Sequence, residues 1–297
     1  MTTILRTAVV IGCGTTGTSV ALALTAAGVR VALSDDDPQT LAEAVSLGAG
    51  TAWSPALAPA DLVVVATAPS AVVDTLHSAQ SRGLGHVYTD TAAVKDIVCA
   101  EAELRGCDLK GYVPGHPLAG PDAPGRGGAD AGRFTGRPWA VCPYETTPGW
   151  ALETVDALIE ACGAHRMDLA PPLHDRVVAE LSHAPHLVAA TLAARFADSS
   201  EAFLGLADDG LRDALRGAGG DPWLWSDVLA HNAGPVADVL DRIVGQLARA
   251  SAILREGDAC APLELAPALQ QGRRGQRALR RAGERRTMRD APAAGRV

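Results

Sequence analysis

The hydrophobic residues in the first half of the chain occur in short runs that alternate with helix-like stretches. The runs lie at 6–11, 29–33, 61–66, 86–89, 111–114 and 138–142. The run at 61–66 is apolar on both faces, which is typical of a strand inside a parallel sheet. Strands that alternate with helices in this way predict an α/β domain with a Rossmann-type, doubly wound parallel sheet.

After Pro171 the hydrophobic residues follow a helical period instead. One predicted helix carries Leu181, Leu187, Val188, Leu192 and Phe196, and another carries Val228, Val236, Val239, Leu240, Ile243, Val244 and Leu247. We therefore predict an α/β domain at 1–169, an all-helical (all-α) C-terminal domain at 170–256, and a basic tail at 257–297. The motifs described below predict dinucleotide binding for the first domain, and the family resemblance that they carry implies substrate binding and dimerisation for the second.

The charge of the chain is divided unevenly between the body and this tail. The net charge is −8, yet residues 259–297, nearly all of the tail, hold nine arginines and three acidic residues, so this segment is +6 and the remainder −14. An acidic body disfavours nucleic acid as the main partner. Few large apolar residues in the tail predict a disordered extension, with an anionic partner as the alternative.

The cysteines and the apolar runs bear on the location of the protein. The six cysteines form no C-x-x-C pair, which favours reduced thiols in the cytoplasm. No uninterrupted apolar run reaches the roughly 20 residues that cross a bilayer. The first apolar run leads directly into a glycine-rich turn, so we read it as a buried strand and expect a cytoplasmic protein without a membrane partner.

The first strand is followed by the sequence G-C-G-T-T-G at residues 12–17. This is G-x-G-x-x-G after a strand and at the start of a helix, the context that dinucleotide binding requires. Gly12 permits the tight turn, Gly14 lets a pyrophosphate approach the backbone, and Gly17 lets helix and strand pack. With Thr15 and Thr16, the N–H groups of the first helical turn would face the phosphates.

An acidic residue, Asp35, ends the second strand, 18 residues after Gly17. A carboxylate there can accept hydrogen bonds from both ribose hydroxyls and would repel a 2′-phosphate. Asp36 and Asp37 add to this repulsion, and no arginine follows them. The sequence therefore predicts NAD rather than NADP; a glycine-rich turn in another kind of α/β protein is the alternative.

Four further segments carry polar residues in a characteristic order. They are T-D-T-A-A-V-K at 89–95, G-H-P-L-A-G at 115–120, H-D with S-H-A-P-H at 174–186, and R-D-A-L-R with D-P-W-L-W at 212–225. Together they resemble the prephenate dehydrogenase (cyclohexadienyl or arogenate dehydrogenase) family over residues 7–250. The resemblance implies NAD-dependent oxidative decarboxylation of prephenate or a close analogue to an aromatic product. The implied partners are this small cyclohexadiene carboxylate and a second copy of the chain.

The resemblance also implies roles for individual residues. His116 matches the catalytic histidine at the ring C4 hydroxyl, His186 and His183 match histidines of the substrate site, and Arg216 matches the arginine that holds a substrate carboxylate. The residue types suit the reaction, because a neutral imidazole can take a proton at neutral pH. A planar guanidinium matches a carboxylate in a way that an ammonium does not.

Simpler interpretations of the same histidines stay open. His116 could be a structural histidine in a loop after the fifth strand. His183 and His186 are three residues apart and could form a metal pair, although no Cys or Glu completes a ligand set, so we expect no metal.

Other polar and aromatic residues near the motifs receive structural interpretations. We expect His174 to cap or pack, and Trp223 and Trp225 to belong to the core or an interface. Arg212 is expected to pair with Asp213 or Asp209.

The sequence departs from the family pattern at several positions. Ala93 stands where the family has a serine whose hydroxyl bonds the catalytic histidine and the C4 group. Pro121 and Leu215 replace a polar residue and a threonine. These changes leave three outcomes open: weaker use of prephenate, a shift to arogenate or to the C4 amine 4-amino-4-deoxyprephenate, or a non-catalytic NAD-binding regulatory protein.

A β-hydroxyacid dehydrogenase is the other enzyme class that joins a Rossmann domain to helices. Such enzymes depend on a lysine in the helical domain, and residues 171–297 contain no lysine. The presence of His116, His186 and Arg216 together favours an enzyme over a regulatory protein.

Overall fold

The computed structural model describes residues 5–119, 128–257 and 260–290. These residues form two compact units, 1–236 and 237–297, and each is described by itself. Gly120, the last residue of the G-H-P-L-A-G motif, and Pro121, one of the departures from the family pattern, lie outside the described residues.

The first unit is built on a six-stranded sheet. Its strands are β1 (Thr7–Ile11), β2 (Arg30–Ser34), β3 (Thr51–Ala52), β4 (Ala60–Val65), β5 (Gly85–Asp90) and β6 (Tyr112–Val113). They are all parallel, in the order β3-β2-β1-β4-β5-β6. This order confirms the prediction of a doubly wound sheet.

Helices cover both faces of this sheet. They are α1 (Thr15–Ala26), α2 (Pro38–Ser46), α3 (Pro69–Ser81), α4 (Asp96–Leu104) and α5 (Gly149–Ala161). α1 and α5 pack in one apolar core with Val10 and Leu62, whereas α3 and α4 pack in a second core with Val63 and Val65 on the opposite face. Because β4 is buried on both faces beyond Asp61, its side chains from residue 62 to 65 are a continuous apolar run.

A second, three-stranded sheet follows. It consists of β7 (Gly115–Pro117), β8 (Pro138–Val141) and β9 (His165–Asp168), with β7 and β8 antiparallel and β8 and β9 parallel. His116 lies in the middle of β7, opposite Ala140. The expectation of a loop at His116 was therefore wrong, because pairing with β8 holds this segment extended.

The rest of the first unit is helical, and no strand follows Asp168 among the described residues. The helices are α6 (Pro171–Val178), α7 (Ala184–Ala193), α8 (Glu201–Leu204), α9 (Asp209–Leu215) and α10 (Pro222–His231). A π-helical turn, Ala179–His183, joins α6 to α7, and a 3₁₀ turn, Arg216–Gly219, follows α9. The prediction of a helical second half is confirmed.

The expectation of a single helix over Val228 and Val236 was wrong. α10 ends at His231, and α11 (Ala233–Glu256) begins after Asn232, whose φ is −122°. The helix is interrupted because the side chain of Asn232 makes buried hydrogen bonds. Its amide donates to the backbone oxygen of Asp175 at 2.9 Å and to Nδ1 of His183 at 3.0 Å. Two buried hydrogen bonds offset the interruption of the helix.

The second unit differs from the expectation of a disordered tail. It contains the end of α11 and the helix α12 (Ala261–Asp290). Ala, Leu, Gln and Arg are strong helix formers, so local propensity favours this helix even though its described side chains are mostly exposed.

One helical stretch among the described residues, Pro171–Phe196, is long and apolar enough to cross a membrane by length and composition alone. Counting only uninterrupted apolar residues missed it. It also carries His174, Asp175 and His183, which are buried and hydrogen bonded within the first unit.

The glycine turn offers a test of the packing between α1 and the sheet. A Cβ at Gly17 would lie 1.9 Å from the Gly12 oxygen, whereas a Cβ at Gly14 meets no atom within 4 Å. We expect Gly17→Ala to lower the free energy of unfolding by about 1–3 kcal/mol or more. Gly14→Ala should cost about 1 kcal/mol or less. Urea denaturation measures both, and equal losses would show that this contact does not limit packing.

Candidate active site

The glycine turn lies where β1 meets α1. Gly12 has φ +97°, and a Cβ there would lie 2.4 Å from the Ala66 oxygen, so only glycine fits. Gly14 precedes α1 and has open space around it, and no side chain caps the helix. The first N–H groups of α1, at Thr15 and Thr16, are therefore available to an anion.

Asp35 lies immediately after β2, beside this turn. Its carboxylate accepts hydrogen bonds from the backbone N–H of Cys13 at 2.6 Å and of Asp37 at 2.9 Å. The same carboxylate borders a cavity of about 370 Å³, together with Gly12, Asp36 and Thr67. The turn and the acidic residue, predicted separately from the sequence, thus meet at one cavity.

The cavity has the features that a dinucleotide needs. The Thr67 hydroxyl is buried and has no hydrogen-bond partner among the described residues. A buried, unpaired hydroxyl is unfavourable, and a polar ligand in the cavity would satisfy it. With the open backbone at Gly14 and the Asp35 carboxylate, the site fits pyrophosphate and ribose.

Asp90, at the end of β5, anchors the neighbouring segments. It forms a buried ion pair with Lys95. It also accepts hydrogen bonds from the Tyr112 hydroxyl at 2.8 Å and from the N–H groups of Gly115 at 3.1 Å and Ala92 at 3.0 Å. One carboxylate therefore holds both the loop that contains position 93 and the strand that contains His116.

This anchor lies at the same edge of the sheet as the glycine turn. Asp90 pairs with Val65, and Val65 pairs with Ile11, the residue before Gly12. The two sites are thus two strands apart, which is roughly 10 Å at the usual strand spacing. A ligand at the carboxyl ends of these strands would contact both.

His116 begins a chain of hydrogen-bonded side chains. Its Nδ1 lies 2.9 Å from Nε2 of His174, and Nδ1 of His174 lies 2.7 Å from the Asp175 carboxylate. His174 is fully buried, and His116 is partly exposed. The expectation that His174 merely caps or packs was therefore incomplete, because it bonds directly to the predicted catalytic histidine.

The hydrogen bonds from His116 through His174 to Asp175 determine which ring nitrogen of His116 carries a proton. A carboxylate only accepts, so Nδ1 of a neutral His174 donates to Asp175 and its Nε2 is an acceptor. Nδ1 of His116 must then be the donor. In neutral His116 this leaves the lone pair on Nε2, to which no hydrogen bond is made among the described residues.

The electrostatics keep this base neutral and its support charged. Burial lowers the pKa of His116 well below its usual range, and His174 and Lys95 lower it further. Burial alone would raise the pKa of Asp175, but hydrogen bonds from His174 and from the backbones of Asp96 and Lys95 bring it below its usual value. His116 is therefore a free base at neutral pH, oriented through an ionised carboxylate.

The π-helical turn between α6 and α7 contains His183 and precedes His186. Pro185 has no N–H to continue an α-helical ladder, and a π turn accommodates the extra residue before it. His183 is fully buried in this turn and accepts a hydrogen bond from Asn232 at Nδ1. Burial lowers the pKa of His183 to about 4, so it is neutral.

His183 was predicted as a substrate-binding residue; in the structure it is fully buried, and its role toward the substrate stays a prediction. Its Nε2 has no partner among the described residues and is itself buried. The ring meets Trp225 edge to face, with centroids 6.1 Å apart. His183 therefore supports Trp225 and Asn232 from inside the fold.

His186 and Trp225 form a stacked pair at the site. Their ring centroids are 3.6 Å apart with an angle of 8° between the planes, and both rings are partly exposed. Burial lowers the pKa of His186. A hydrogen bond with the backbone of Gly217 raises this pKa, but by less than burial lowers it. Trp225 also packs against the apolar core that contains α3 and α4, as expected, and its exposed part carries the ring of His186.

Arg216 lies at the start of the 3₁₀ turn beside α7, next to Gly217. Its half-exposed guanidinium forms an ion pair with Asp213. The expected pairing of Asp213 with Arg212 is therefore replaced by one with Arg216. No group of histidines, cysteines and carboxylates that could hold a metal occurs among the described residues.

The residues that act through others were visible in the sequence only as members of motifs. The motifs contain Asp90, Lys95 and Asp175, and Asn232 follows the last of them, but the spacing assigned no role to any of the four. In the structure they touch one another or the histidines. The adjacent pair at 174–175 and the D-P-x-x-W motif were visible signals. Only the folded chain reveals that they meet His116 and His186.

A dinucleotide turn and a neutral histidine base at one sheet edge define a dinucleotide-dependent oxidoreductase. Two family models match the chain: prephenate dehydrogenase, nucleotide-binding domain, over residues 20–168, and prephenate dehydrogenase, dimerization domain, over residues 170–271. The chain therefore belongs to the prephenate dehydrogenase family and is an NAD-dependent oxidoreductase. The alternative of a β-hydroxyacid dehydrogenase is thereby set aside.

Individual relatives agree with the family models. The protein described as "Probable prephenate dehydrogenase NovF" from Streptomyces niveus is 38% identical over 252 residues, which cover 84% of this chain and 69% of that protein. The prephenate dehydrogenase of Bacillus subtilis is 27% identical over 259 residues, covering 84% and 70%. The crystal structure of the A. aeolicus prephenate dehydrogenase with hydroxyphenyl propionate and NAD+ has a TM-score of 0.78 at 22% identity, covering 94% of this chain and 100% of that one.

The orientation of His116 can be tested by removing the charge at Asp175. In Asp175→Asn the side-chain amide can donate a hydrogen bond to Nδ1 of His174. The neutral tautomers of both His174 and His116 would then be reversed. We expect kcat to fall by about 100-fold or more, with NAD affinity unchanged within about twofold. Asp61→Asn is the matched control, because Asp61 also accepts two backbone N–H groups, from Arg6 and Thr7, but lies away from the site. Equal effects of both variants on kcat would contradict the assignment.

Proposed function

We propose that this protein catalyses the NAD-dependent oxidative decarboxylation of prephenate or a close analogue. The observation that carries the proposal is the chain from His116 through His174 to Asp175, held at the sheet edge that also bears the glycine turn. A neutral base next to a dinucleotide site suits removal of a hydride from a carbon that bears a hydroxyl group.

The cofactor preference follows from Asp35. Its carboxylate borders the cavity beside the glycine turn and can accept hydrogen bonds from both ribose hydroxyls. A 2′-phosphate would meet this charge and that of Asp36 at close range. NAD is therefore the proposed cofactor, with Gly12, Gly14, Thr15, Thr16 and Gly17 at its pyrophosphate.

In the proposed reaction His116 first accepts a proton from the substrate and later returns it. Bound NAD supplies the acceptor for the C4 hydride. Nε2 of His116 takes the proton of the C4 hydroxyl, and the resulting imidazolium is stabilised through His174 by the ionised Asp175. When the ring carboxylate leaves as CO₂, its electron pair makes the ring aromatic, and His116 returns the proton to the phenolic oxygen.

The substrate carboxylates require a cation, and we propose Arg216 for this role. Its present partner, Asp213, is an exposed carboxylate, and exposed ion pairs are worth about 0–1 kcal/mol. A substrate carboxylate that makes a bidentate contact with the guanidinium at a less exposed site can therefore displace Asp213. His186, stacked on Trp225 next to this turn, is proposed to contact the substrate side chain.

A C4 amine is a second candidate substrate group, and Ala93 favours it. Ala92 and Gly115 both donate to Asp90, so one carboxylate holds the residues that precede Ala93 and His116. A serine at position 93 would offer a hydroxyl to the C4 group, and the methyl group of Ala93 offers none. The preference for a C4 hydroxyl over a C4 amine is thereby weakened, so 4-amino-4-deoxyprephenate becomes a candidate substrate. Arogenate differs from prephenate at a position other than C4 and is the third substrate to compare.

We further propose a homodimer and a cytoplasmic location. The dimerization-domain model matches residues 170–271. Large apolar side chains of the first unit, including Phe203, Leu206 and Trp223, are more than half exposed. A second copy would cover such a surface. The five buried cysteines, all in the first unit, form no disulfide, which suits a reducing compartment.

The substrate can be determined by NADH formation with purified enzyme. We expect turnover with prephenate, arogenate or 4-amino-4-deoxyprephenate, and we expect Ala93→Ser to raise kcat/KM for prephenate by about 2- to 12-fold relative to the amine, the value of one hydrogen bond. Strong prephenate turnover with none on the amine would remove the second candidate. NAD binding without turnover of any of the three would leave the regulatory alternative.

A further inference from the structure

Gly220 lies between the 3₁₀ turn that begins at Arg216 and the start of α10. A Cβ at Gly220 would lie 2.1 Å from Nε1 and 2.4 Å from Cδ1 of Trp225, and 3.3 Å from Cε1 of His186. Its backbone, with φ −77° and ψ 164°, has a conformation that every residue adopts. Glycine is therefore required here by the close approach of the backbone to the indole ring.

Two contacts hold this 3₁₀ turn from opposite ends. His186, in α7, forms a hydrogen bond with the backbone of Gly217 near the start of the turn. Trp225, in α10, packs against Gly220 just after its end. The two rings are themselves stacked. The stacked pair therefore fixes the backbone that carries Arg216.

Trp225 is held in place by the packing of α10. Val228, one turn further along this helix, is buried in the apolar core that contains α3 and α4. Asp227 accepts a hydrogen bond from the N–H of Ser70, in the first turn of α3, at 3.0 Å. Helix α10 thus connects Trp225 to the part of the first unit that contains the six-stranded sheet.

The side chain of Arg216 is held weakly by its own contacts. It is half exposed and pairs with Asp213, which is also exposed. The position of its guanidinium therefore depends on the backbone of the turn. A bidentate contact with a carboxylate is directional, and a binding group must be held within about 0.5 Å of its productive position.

Resting on the proposed role of Arg216 toward a substrate carboxylate, we propose that Gly220 is a positioning residue for substrate binding. The close approach of its backbone to Trp225 determines where the turn lies and hence where the guanidinium points. A side chain at position 220 must displace either the turn or the indole ring, and the geometry for binding the carboxylate is then lost.

The test is steady-state kinetics of the full chain at saturating NAD. The substrate is whichever of prephenate, arogenate and 4-amino-4-deoxyprephenate the wild type turns over fastest. We expect Gly220→Ala to raise KM by about tenfold or more and to leave kcat within about threefold. The affinity for NAD, measured by calorimetry, should stay within about twofold, which distinguishes this effect from a folding defect.

Gly219→Ala is the matched control. Gly219 is the preceding residue, in the same turn, and a Cβ there meets no atom within 4 Å. This variant should keep both KM and kcat within about twofold of the wild type.

Two double variants test whether Gly220 acts through Arg216 and Trp225. Arg216→Ala should itself raise KM by about 10- to 100-fold, and adding Gly220→Ala should then change KM by less than about twofold, because the positioned guanidinium is absent. Adding Gly220→Ala to Trp225→Ala should also change KM by less than about twofold, since no indole ring is left to clash. Additive effects in either background would overturn the inference.

The inference and the proposed function fail in different ways. Turnover of none of the three substrates would remove the proposed function, and an unchanged KM in Arg216→Ala would remove the proposed role of this arginine; either result removes the inference as well. A raised KM in Arg216→Ala beside a wild-type KM in Gly220→Ala would overturn the inference alone. Equal effects of Gly219→Ala and Gly220→Ala would do the same.

Discussion

The Asp175 carboxylate is the interaction on which the site depends. It accepts the N–H groups of Lys95 at 2.8 Å and Asp96 at 2.9 Å, at the start of α4, and it also bonds Nδ1 of His174. The positive end of α4 stabilises this charge. One side chain thus fastens the helical half of the first unit to the sheet and sets the tautomers of two histidines.

A second buried carboxylate completes the arrangement. Asp90 is fully buried and paired with Lys95, whose own backbone N–H bonds Asp175. Burying such a pair is costly unless every polar atom is satisfied, and Asp90 meets that condition with three further hydrogen bonds. The two aspartates therefore make a rigid frame, and His116 and position 93 hold their places because of it.

The sequence predicted most of the fold because local signals and topology agree. Apolar runs, the glycine turn and Asp35 are close in sequence, and their geometry follows from a strand, a tight turn and a helix. The site could be predicted only in part. His116 was identified, but its placement in β7 requires a pairing with β8, and the break at Asn232 requires knowing that Asp175 and His183 are nearby. Such long-range polar contacts leave no periodic trace. The helix α12 was missed for a different reason: its composition lacks a core face, and only propensity supports it.

The central claim is that His116 is a neutral base with its lone pair on Nε2. Nitrogen-15 NMR of the imidazole groups at pH 7, assigned by comparison with a variant that lacks His116, measures the protonation of each ring nitrogen directly. We expect a protonated Nδ1 and an unprotonated Nε2 in His116. A signal for the opposite tautomer, or for an imidazolium at pH 7, would contradict it.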